Sequence, residues 1–360
     1  MNPPTVMRAM VTMGHGGMDQ MVYHKDWPAP QLKDGQVLVR VGACGLNNTD
    51  VNTRSGWYSK AVTDATLSEG YEEINAEDPS WGGEPITFPR IQGADVCGEI
   101  IAVGAGVDPS RIGERVITDN WLRDSDDPTN KNKTGYYGSE CDGGFAEYTA
   151  LPSENALAVN SSLSDAELAT FSCSYSTAEG MLTRADVVAD DTVLIPGASG
   201  GVGSALVQLA KLRGARVIAL AAEAKHDEVR ALGADRILAR NPEHLHQELS
   251  DEQITVVADV VGGSLWPVLI DCLQRGGRYT CSGAIAGPMV SLDLRTLYLR
   301  DLTFTGSTEL GSEVMRRIIS YIETGAIKPV LAAQYPLSEL HAAQTAFIEK
   351  KHTGNIVVCP

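Results

Sequence analysis

Long apolar runs are missing from this 360-residue chain, and none approaches the length of a membrane-spanning helix. Its start, Met1-Asn2-Pro3-Pro4-Thr5-Val6, has no basic stretch followed by an apolar core, so no signal peptide is expected. Positive charge is scarce too: 29 Lys and Arg stand against 46 Asp and Glu, a formal net charge of −17. That balance argues against nucleic acid and anionic membranes as partners, since both are bound by clustered Lys and Arg. An anionic small molecule stays open, because backbone N–H groups and one or two basic side chains can hold a phosphate. The seven cysteines (Cys44, Cys97, Cys141, Cys173, Cys272, Cys281, Cys359) are odd in number and form no Cys-x-x-Cys. Neither a disulfide framework nor a zinc knuckle is expected, a pattern that suits a reduced, cytoplasmic protein.

With 43% apolar and 21% charged residues, the chain is long enough for two domains with sizeable cores. Residues 1–155 read as mostly β: 36–41 alternates, and 98–103 and 114–118 are short apolar runs between Gly and Pro. This predicts a small barrel or sandwich. From 156 to 308 the pattern changes. Strand-like runs at 192–195, 216–220, 255–260, 278–281 and 302–305 alternate with helical patterns such as 225–232 and 265–274, which predicts an α/β fold with a doubly wound parallel sheet. Residues 309–360 open with a helical pattern, 312–324, and close on an apolar strand, 355–358; this tail is expected to return to the first domain. Residues 59–88 stand apart, rich in Ser, Glu, Asp and Gly with little periodicity. A loop this long is uncommon unless functional or disordered, and it reads as a lid, an oligomer contact or a surface excursion.

The most informative stretch is 192–203, Thr-Val-Leu-Ile-Pro-Gly-Ala-Ser-Gly-Gly-Val-Gly. An apolar run ends in Gly197, Gly200, Gly201 and Gly203, and a helical pattern follows over 204–213. Strand, glycine turn and helix in that order bring backbone N–H groups and the positive helix end to one point, which suits a pyrophosphate. Gly200 and Gly203 would let the backbone approach the phosphates and the helix pack against the sheet. Ser199 and Val202 join the four glycines as candidate cofactor contacts.

Further motifs accompany this loop: Gly45-Leu46-Asn47-Asn48-Thr49-Asp50, Ser55-Gly56-Trp57-Tyr58, Gln92-Gly93-Ala94-Asp95-Val96-Cys97-Gly98-Glu99-Ile100, Gly113-Glu114-Arg115-Val116, Gly143-Gly144-Phe145-Ala146-Glu147-Tyr148 and Leu232-Gly233-Ala234-Asp235. In order and spacing the chain resembles the medium-chain dehydrogenase/reductase superfamily, and within it the zinc-free quinone oxidoreductase branch. The resemblance implies a GroES-like β domain, 1–155, a Rossmann domain, 156–308, and a return to the first domain, 309–360. It also implies a homodimer, joined through the sheet edge near 302–305, which follows an apolar segment at 289–299.

The zinc enzymes of that superfamily hold their metal with Cys, His and Cys. Matched by motif, the first two slots here are Asn47 and Ala94, neither of which suits a tetrahedral zinc; the third keeps Cys173. Cys44, three residues before Asn47, could become a ligand only by a slip of register. The seven histidines lie outside these motifs, so no zinc is expected.

After the second Rossmann strand the chain reads Leu220-Ala221-Ala222-Glu223-Ala224-Lys225. An NAD enzyme usually places an acidic residue there for the ribose. Ala221 at that position leaves room for a 2′-phosphate and Lys225 stands where the resemblance puts a phosphate-binding lysine, which favours NADPH over NADH. Glu223, two residues on, is the counter-evidence. The resemblance also makes Thr177 a nicotinamide contact.

For the chemistry, Asn47 can hydrogen-bond a carbonyl oxygen, Thr49 occupies the hydroxyl position that relays protons in the zinc enzymes, and Tyr58 resembles a tyrosine lining the quinone site. Each has a plainer role available: a turn cap, a helix start, a packed rim aromatic. The expected function is zinc-independent, NAD(P)H-dependent hydride transfer to a quinone or α,β-unsaturated carbonyl. Alternatives are an alcohol dehydrogenase-type enzyme, an enoyl-thioester reductase and a catalytically weak NADPH-binding protein. The acidic residues of 59–88 (Asp64, Glu69, Glu72, Glu73, Glu77, Asp78) disfavour strongly anionic substrates, whereas Tyr71 and Trp81 could cover an apolar one.

Overall fold

The computed structural model describes residues 4–360 except Ser68, Glu72, Glu73, Ala76, Pro79, Ser80, Gly82 and Asn241. Two sheets dominate. The first has seven strands, ordered Leu331–Pro336, Asn355–Cys359, Gln36–Gly45, Asp95–Val103, Arg115–Thr118 and Ala156–Ala158, with Tyr148–Pro152 also paired to Gln36–Gly45. Gln36–Gly45 is its centre, and the side chains of Val37, Val39 and Val41 are buried in an apolar cluster with Ile100, Val116 and Leu151. An antiparallel pair, Val6–Thr12 with Met21–Pro28, and a short ribbon, Trp121–Leu122 with Gly135–Tyr136, complete this domain. The strand Ala156–Ala158 pairs with Arg115–Thr118, so the chain leaves this sheet after residue 158 rather than at 155.

The second sheet is wholly parallel, with six strands in the order Arg236–Leu238, Arg216–Leu220, Thr192–Pro196, Ile254–Asp259, Leu273–Cys281, Thr303–Gly306. Its central strands are buried on both faces, as Val193, Leu194, Ile195 and Val256 show, because helices cover both sides. The run at 265–274 divides: its helix, Trp266–Cys272, stops early and Leu273 already begins a strand. The order reverses between Thr192–Pro196 and Ile254–Asp259, the place where such sheets open a crevice. The fold is α/β, a mostly antiparallel β domain joined to a doubly wound parallel sheet.

Two devices tie the halves together. The tail strand Asn355–Cys359 lies antiparallel to Gln36–Gly45, with Val357 opposite Gly45 and Val358 opposite Cys44. The Gly354 N–H donates to the Ser199 carbonyl at 2.8 Å, so the tail also touches the glycine loop. One apolar cluster runs from Ala43 and Cys97 through Phe171 and Tyr175 to Val193 and Ile195, making the core continuous across both sheets.

Candidate active site

The cleft at the reversal point has a volume of about 530 Å³ and takes its walls from both domains. At its inner end the helix Gly201–Leu212 begins on Gly200 with no side-chain cap, leaving its first N–H groups without an intrahelical partner. A Cβ on Gly203 would lie 2.1 Å from the Gly197 carbonyl oxygen, and one on Gly201 would lie 2.4 Å from Asn355 Oδ1, so both glycines permit close packing. Gly200 differs: a Cβ there meets nothing closer than 3.5 Å, so its bareness serves whatever enters the cleft. Gly197 has φ of +67°, which a side chain would strain. Gly197, Ser199, Gly200, Gly201, Val202 and Gly203 all line the cleft, and the loop fits an anion such as a dinucleotide pyrophosphate.

Cations gather beside it. Lys225 Nζ donates to the carbonyls of Lys350 at 2.7 Å and His352 at 2.5 Å and lies 3.5 Å from Ser199 Oγ. The lysine therefore braces the tail against the glycine loop, a task its sequence position did not reveal. Ala221 is buried behind the wall, while Ala222 lines it; Glu223 is exposed and outside it. Arg240 and Lys350 also line the cleft, and sequence reasoning missed both. Lys350, in the left-handed region at φ 53°, donates to Asn48 Oδ1 at 3.0 Å and stacks over the Phe347 ring. Burial, then the charge of Lys225, pushes its ammonium down to about 7. His352 is driven down to about 4 by burial and the two lysines.

Asn47 caps the helix Asn48–Ser55, its N–H donating to Asp50 Oδ2 at 2.7 Å. Its side-chain Nδ2 reaches Asp95 Oδ2 at 3.0 Å. Asp95 Oδ1 accepts from Asn120 Nδ2 at 2.8 Å and from the Cys173 N–H at 2.9 Å. Burial raises Asp95 to about 6, against the pull of these three donors, and raises Asp50 to about 7. Asn120 Nδ2 also donates to the Tyr136 hydroxyl at 3.2 Å, and burial holds that phenol well above its ordinary range. Thr49 Oγ1 is buried and interacts with the side chain of Tyr58. It faces the Tyr58 hydroxyl, whose acidity is suppressed mainly by burial although the ring is 36% exposed. Asn47, Thr49, Tyr58 and Thr177 thus share one cleft, joined by Cys173, Tyr136 and Trp121. Asp95 stood in a quoted motif, but nothing in the sequence marked Asn120, Trp121 or Tyr136 as its neighbours.

The excursion after Tyr58 passes the cleft mouth. Asp78 accepts from Ser59 Oγ at 2.7 Å and the Lys60 N–H at 2.8 Å, and the Thr66 N–H donates to the Ile285 carbonyl of the second domain at 3.1 Å. Trp81 is in the cleft wall. Tyr71 is not: its hydroxyl accepts from the Leu67 N–H and donates to the Ala65 carbonyl, bracing the loop itself. Glu72 and Glu73 lie outside the described residues.

Residues 33–161 match the family model of the alcohol dehydrogenase GroES-like domain, and residues 201–324 match that of the zinc-binding dehydrogenases. A crystal structure from Sinorhizobium meliloti 1021, provisionally named an alcohol dehydrogenase, is 45% identical, with a TM-score of 0.89 over 99% of this chain and 98% of that one. The chain belongs to the medium-chain dehydrogenase/reductase superfamily. It is similar to the NADPH-dependent alkenal/one oxidoreductase of Arabidopsis thaliana, 27% identical over 99% of this chain and 80% of that protein. The acryloyl-coenzyme A reductase of Metallosphaera sedula is 26% identical over 98% and 99%. A nicotinamide cofactor goes with this superfamily, and the glycine loop fits its pyrophosphate.

Zinc fits poorly. Asn47 and Ala94 fill two ligand positions, and the Asp95 carboxylate beside them is already engaged by three donors. Among the described residues no cluster of three His, Cys, Asp or Glu could hold a metal ion. Cys44 is buried beside the Gly45 carbonyl and lines no part of the cleft, so no slip of register brings it to the site. Among the described residues no helix is long and apolar enough to cross a membrane.

Proposed function

We propose that this protein is a zinc-independent, NADPH-dependent reductase of quinones or α,β-unsaturated carbonyl compounds. The observation that carries the reading is the placement of Asn47 and of the buried Thr49 hydroxyl in the same cleft as an uncapped glycine-loop helix. When bound, the reduced nicotinamide supplies a hydride. Asn47 Nδ2 spends one N–H on Asp95 and keeps a second for a carbonyl oxygen. That donor, with the Thr49 hydroxyl, stabilises the enolate oxygen formed as hydride reaches the β-carbon. A proton from solvent, delivered to the α-carbon, would then complete the saturated ketone. Tyr136, kept protonated by burial, and Tyr58 close the site around the reacting carbons. Thr177 and Val261 line the same wall, where the nicotinamide would lie. Arg240 and Lys225 would stand at the adenosine end, where exposed Glu223 lies outside the cleft lining and Ala222 leaves room for a 2′-phosphate. The alkenal/one and acryloyl-coenzyme A substrates for which these two relatives are named are both unsaturated carbonyl compounds, in agreement with this reading.

NADPH oxidation against a panel of quinones, enones, enoyl thioesters and aldehydes, with and without a chelator, tests it. Turnover of the conjugated ketones that survives chelation is expected. Activity confined to alcohols or lost on chelation, or tight NADPH binding without turnover of any acceptor, would overturn it.

A homodimer is the assembly we favour. Met289, Leu294, Tyr298 and Leu299 are 69%, 65%, 61% and 58% exposed beside the edge strand Thr303–Gly306. An apolar patch next to an open sheet edge is stabilised by pairing with a second copy. Sedimentation at micromolar concentration should show a dimer; a monomer would contradict it.

A further inference from the structure

Three of the five tryptophans of the chain, Trp57, Trp81 and Trp121, line this one cleft. Trp121 and Tyr136 are directly opposed on the short antiparallel ribbon, their rings 5.0 Å apart, and are only 7% and 6% exposed. Asn155 fixes that ribbon by donating to the carbonyls of Asp119 at 2.8 Å and Trp121 at 2.9 Å. Trp81 arrives from the excursion and packs on Trp121, Tyr136 and Tyr58 at 5.8, 5.6 and 5.1 Å. The excursion is anchored at Asp78 and, across the cleft, at Ile285, so Trp81 belongs to a built wall. This end of the cleft is ring-lined, and Asn47, Thr49, Asn52, Tyr58 and Tyr136 supply neutral polar groups to it.

Charge narrows the ligand further. The cationic residues lining the cleft, Lys225, Arg240 and Lys350, cluster with the glycine loop and His352, whereas the ring-lined end presents neither Lys nor Arg among the described residues. An acyl-coenzyme A would bring several phosphates past Asp64 and Asp78, whose repulsion Lys60 beside Asp78 offsets only in part. A quaternary ammonium fares no better. The rings meet one another mostly edge to face, at 68° to 90° for three of the pairs around Trp81 and Trp121, and do not converge their faces on one point. The buried carboxylates are already engaged by internal donors. Flat neutral rings suit such walls, because aromatic contacts add offset or edge-on attraction to simple area burial.

We propose that the preferred substrate is a neutral conjugated carbonyl compound bearing an aromatic ring, with the ring held by Trp81, Trp121 and Tyr136 and the carbonyl oxygen directed at Asn47 and Thr49. The assignment rests on the reductase reading above and narrows its substrate class.

Two measurements separate the two claims. In the first, kcat/KM is compared for benzylideneacetone and a straight-chain enone of equal carbon count. The wild type should favour the aryl compound by on the order of tenfold or more, and Trp81→Ala should bring the ratio close to one. Trp81→Phe should restore most of it, with unchanged NADPH affinity as the folding control. In the second, the saturated product benzylacetone is titrated by quenching of intrinsic tryptophan fluorescence, a readout that needs no turnover. Quenching without reduction of any enone would remove the reductase reading and leave the aromatic site standing. Reduction of both enones with equal kcat/KM, a preference for a cationic aryl ketone or an acyl-coenzyme A, or a ratio untouched in Trp81→Ala would overturn the aromatic assignment.

Discussion

The two ends of the cleft are made in opposite ways. The end assigned to the cofactor is mostly backbone: a strand, four glycines and an uncapped helix supply it from one continuous stretch of chain, with Lys225, Arg240 and Lys350 beside it. The substrate end is side chains, drawn from the segments around Asn47, Trp81, Asp95, Trp121, Tyr136 and Cys173. A backbone site tolerates almost no added atom but accepts any phosphate of the right shape. A side-chain site can be rebuilt residue by residue, so differences in substrate among relatives belong there.

The largest effect expected from breaking this contrast is at Gly203. Gly203→Ala sets a Cβ 2.1 Å from a backbone oxygen that cannot yield, and should cost about 3 kcal/mol of stability together with cofactor binding. Gly200→Ala, with open space before it, should leave the melting temperature nearly unchanged and weaken NADPH alone. Thermal denaturation and NADPH titration of the two variants measure this directly; equal melting temperatures would refute the division of labour.

At the substrate end, Asp95→Ala should cost about 2 kcal/mol or more by stranding the donors of Asn47, Asn120 and Cys173. Its pH signature is distinctive. Asp95 and Asp50 have folded pKa values raised to about 6 and about 7, above the ordinary 3.8, so the unfolded chain releases these protons first as pH rises. Their contribution is fully present below pH 3.8 and is lost as pH climbs through about 6 and 7. Asp95→Asn should flatten the lower part of that decline in melts taken across the range.

Smaller effects lie with the cations. Arg240→Ala should weaken NADPH by about tenfold and leave NADH nearly unchanged, as an exposed residue reading a 2′-phosphate would. Lys225→Ala should weaken both, because its ammonium also braces the tail. Isothermal titration of both cofactors distinguishes the two.

The smallest effect is a pH slope at Lys350. Its ammonium, lowered to about 7, faces Lys225, His352 and Arg240 and pairs with the neutral Asn48. A phosphate favours its charged form, so NADPH should bind more tightly below about pH 7 than above it, by less than about tenfold per pH unit. Lys350→Met should remove the slope.

The same contrast explains what could be read from the sequence. The alternation of strands and helices and the glycine loop are local patterns set by chain periodicity and backbone freedom, so both sheets were legible, and so was the loop that lines the cleft. Lys225 was found as a cation, but its partners lie about 125 positions away, and its bracing role was invisible. Asn47 was flagged through its motif, yet what orients its amide is Asp95, 48 positions on, with Asn120 beyond. Tyr71 and Trp81 looked alike in a loop of little periodicity; only packing sends one into the cleft and the other into the loop's own frame. Side-chain convergence across distant segments leaves no periodic trace.

The pairing of Asn355–Cys359 with Gln36–Gly45 has a consequence for biogenesis. A ribosome must add more than 300 residues after the central strand of the first sheet before its neighbour exists. Through that interval Gln36–Gly45 keeps one flank bare over Cys44 and Gly45, while the parallel sheet folds in between. Domain-by-domain completion in order of synthesis is therefore closed to this protein: the domain begun first is finished last, and its nascent form depends on protection from stray strand pairing until the tail arrives.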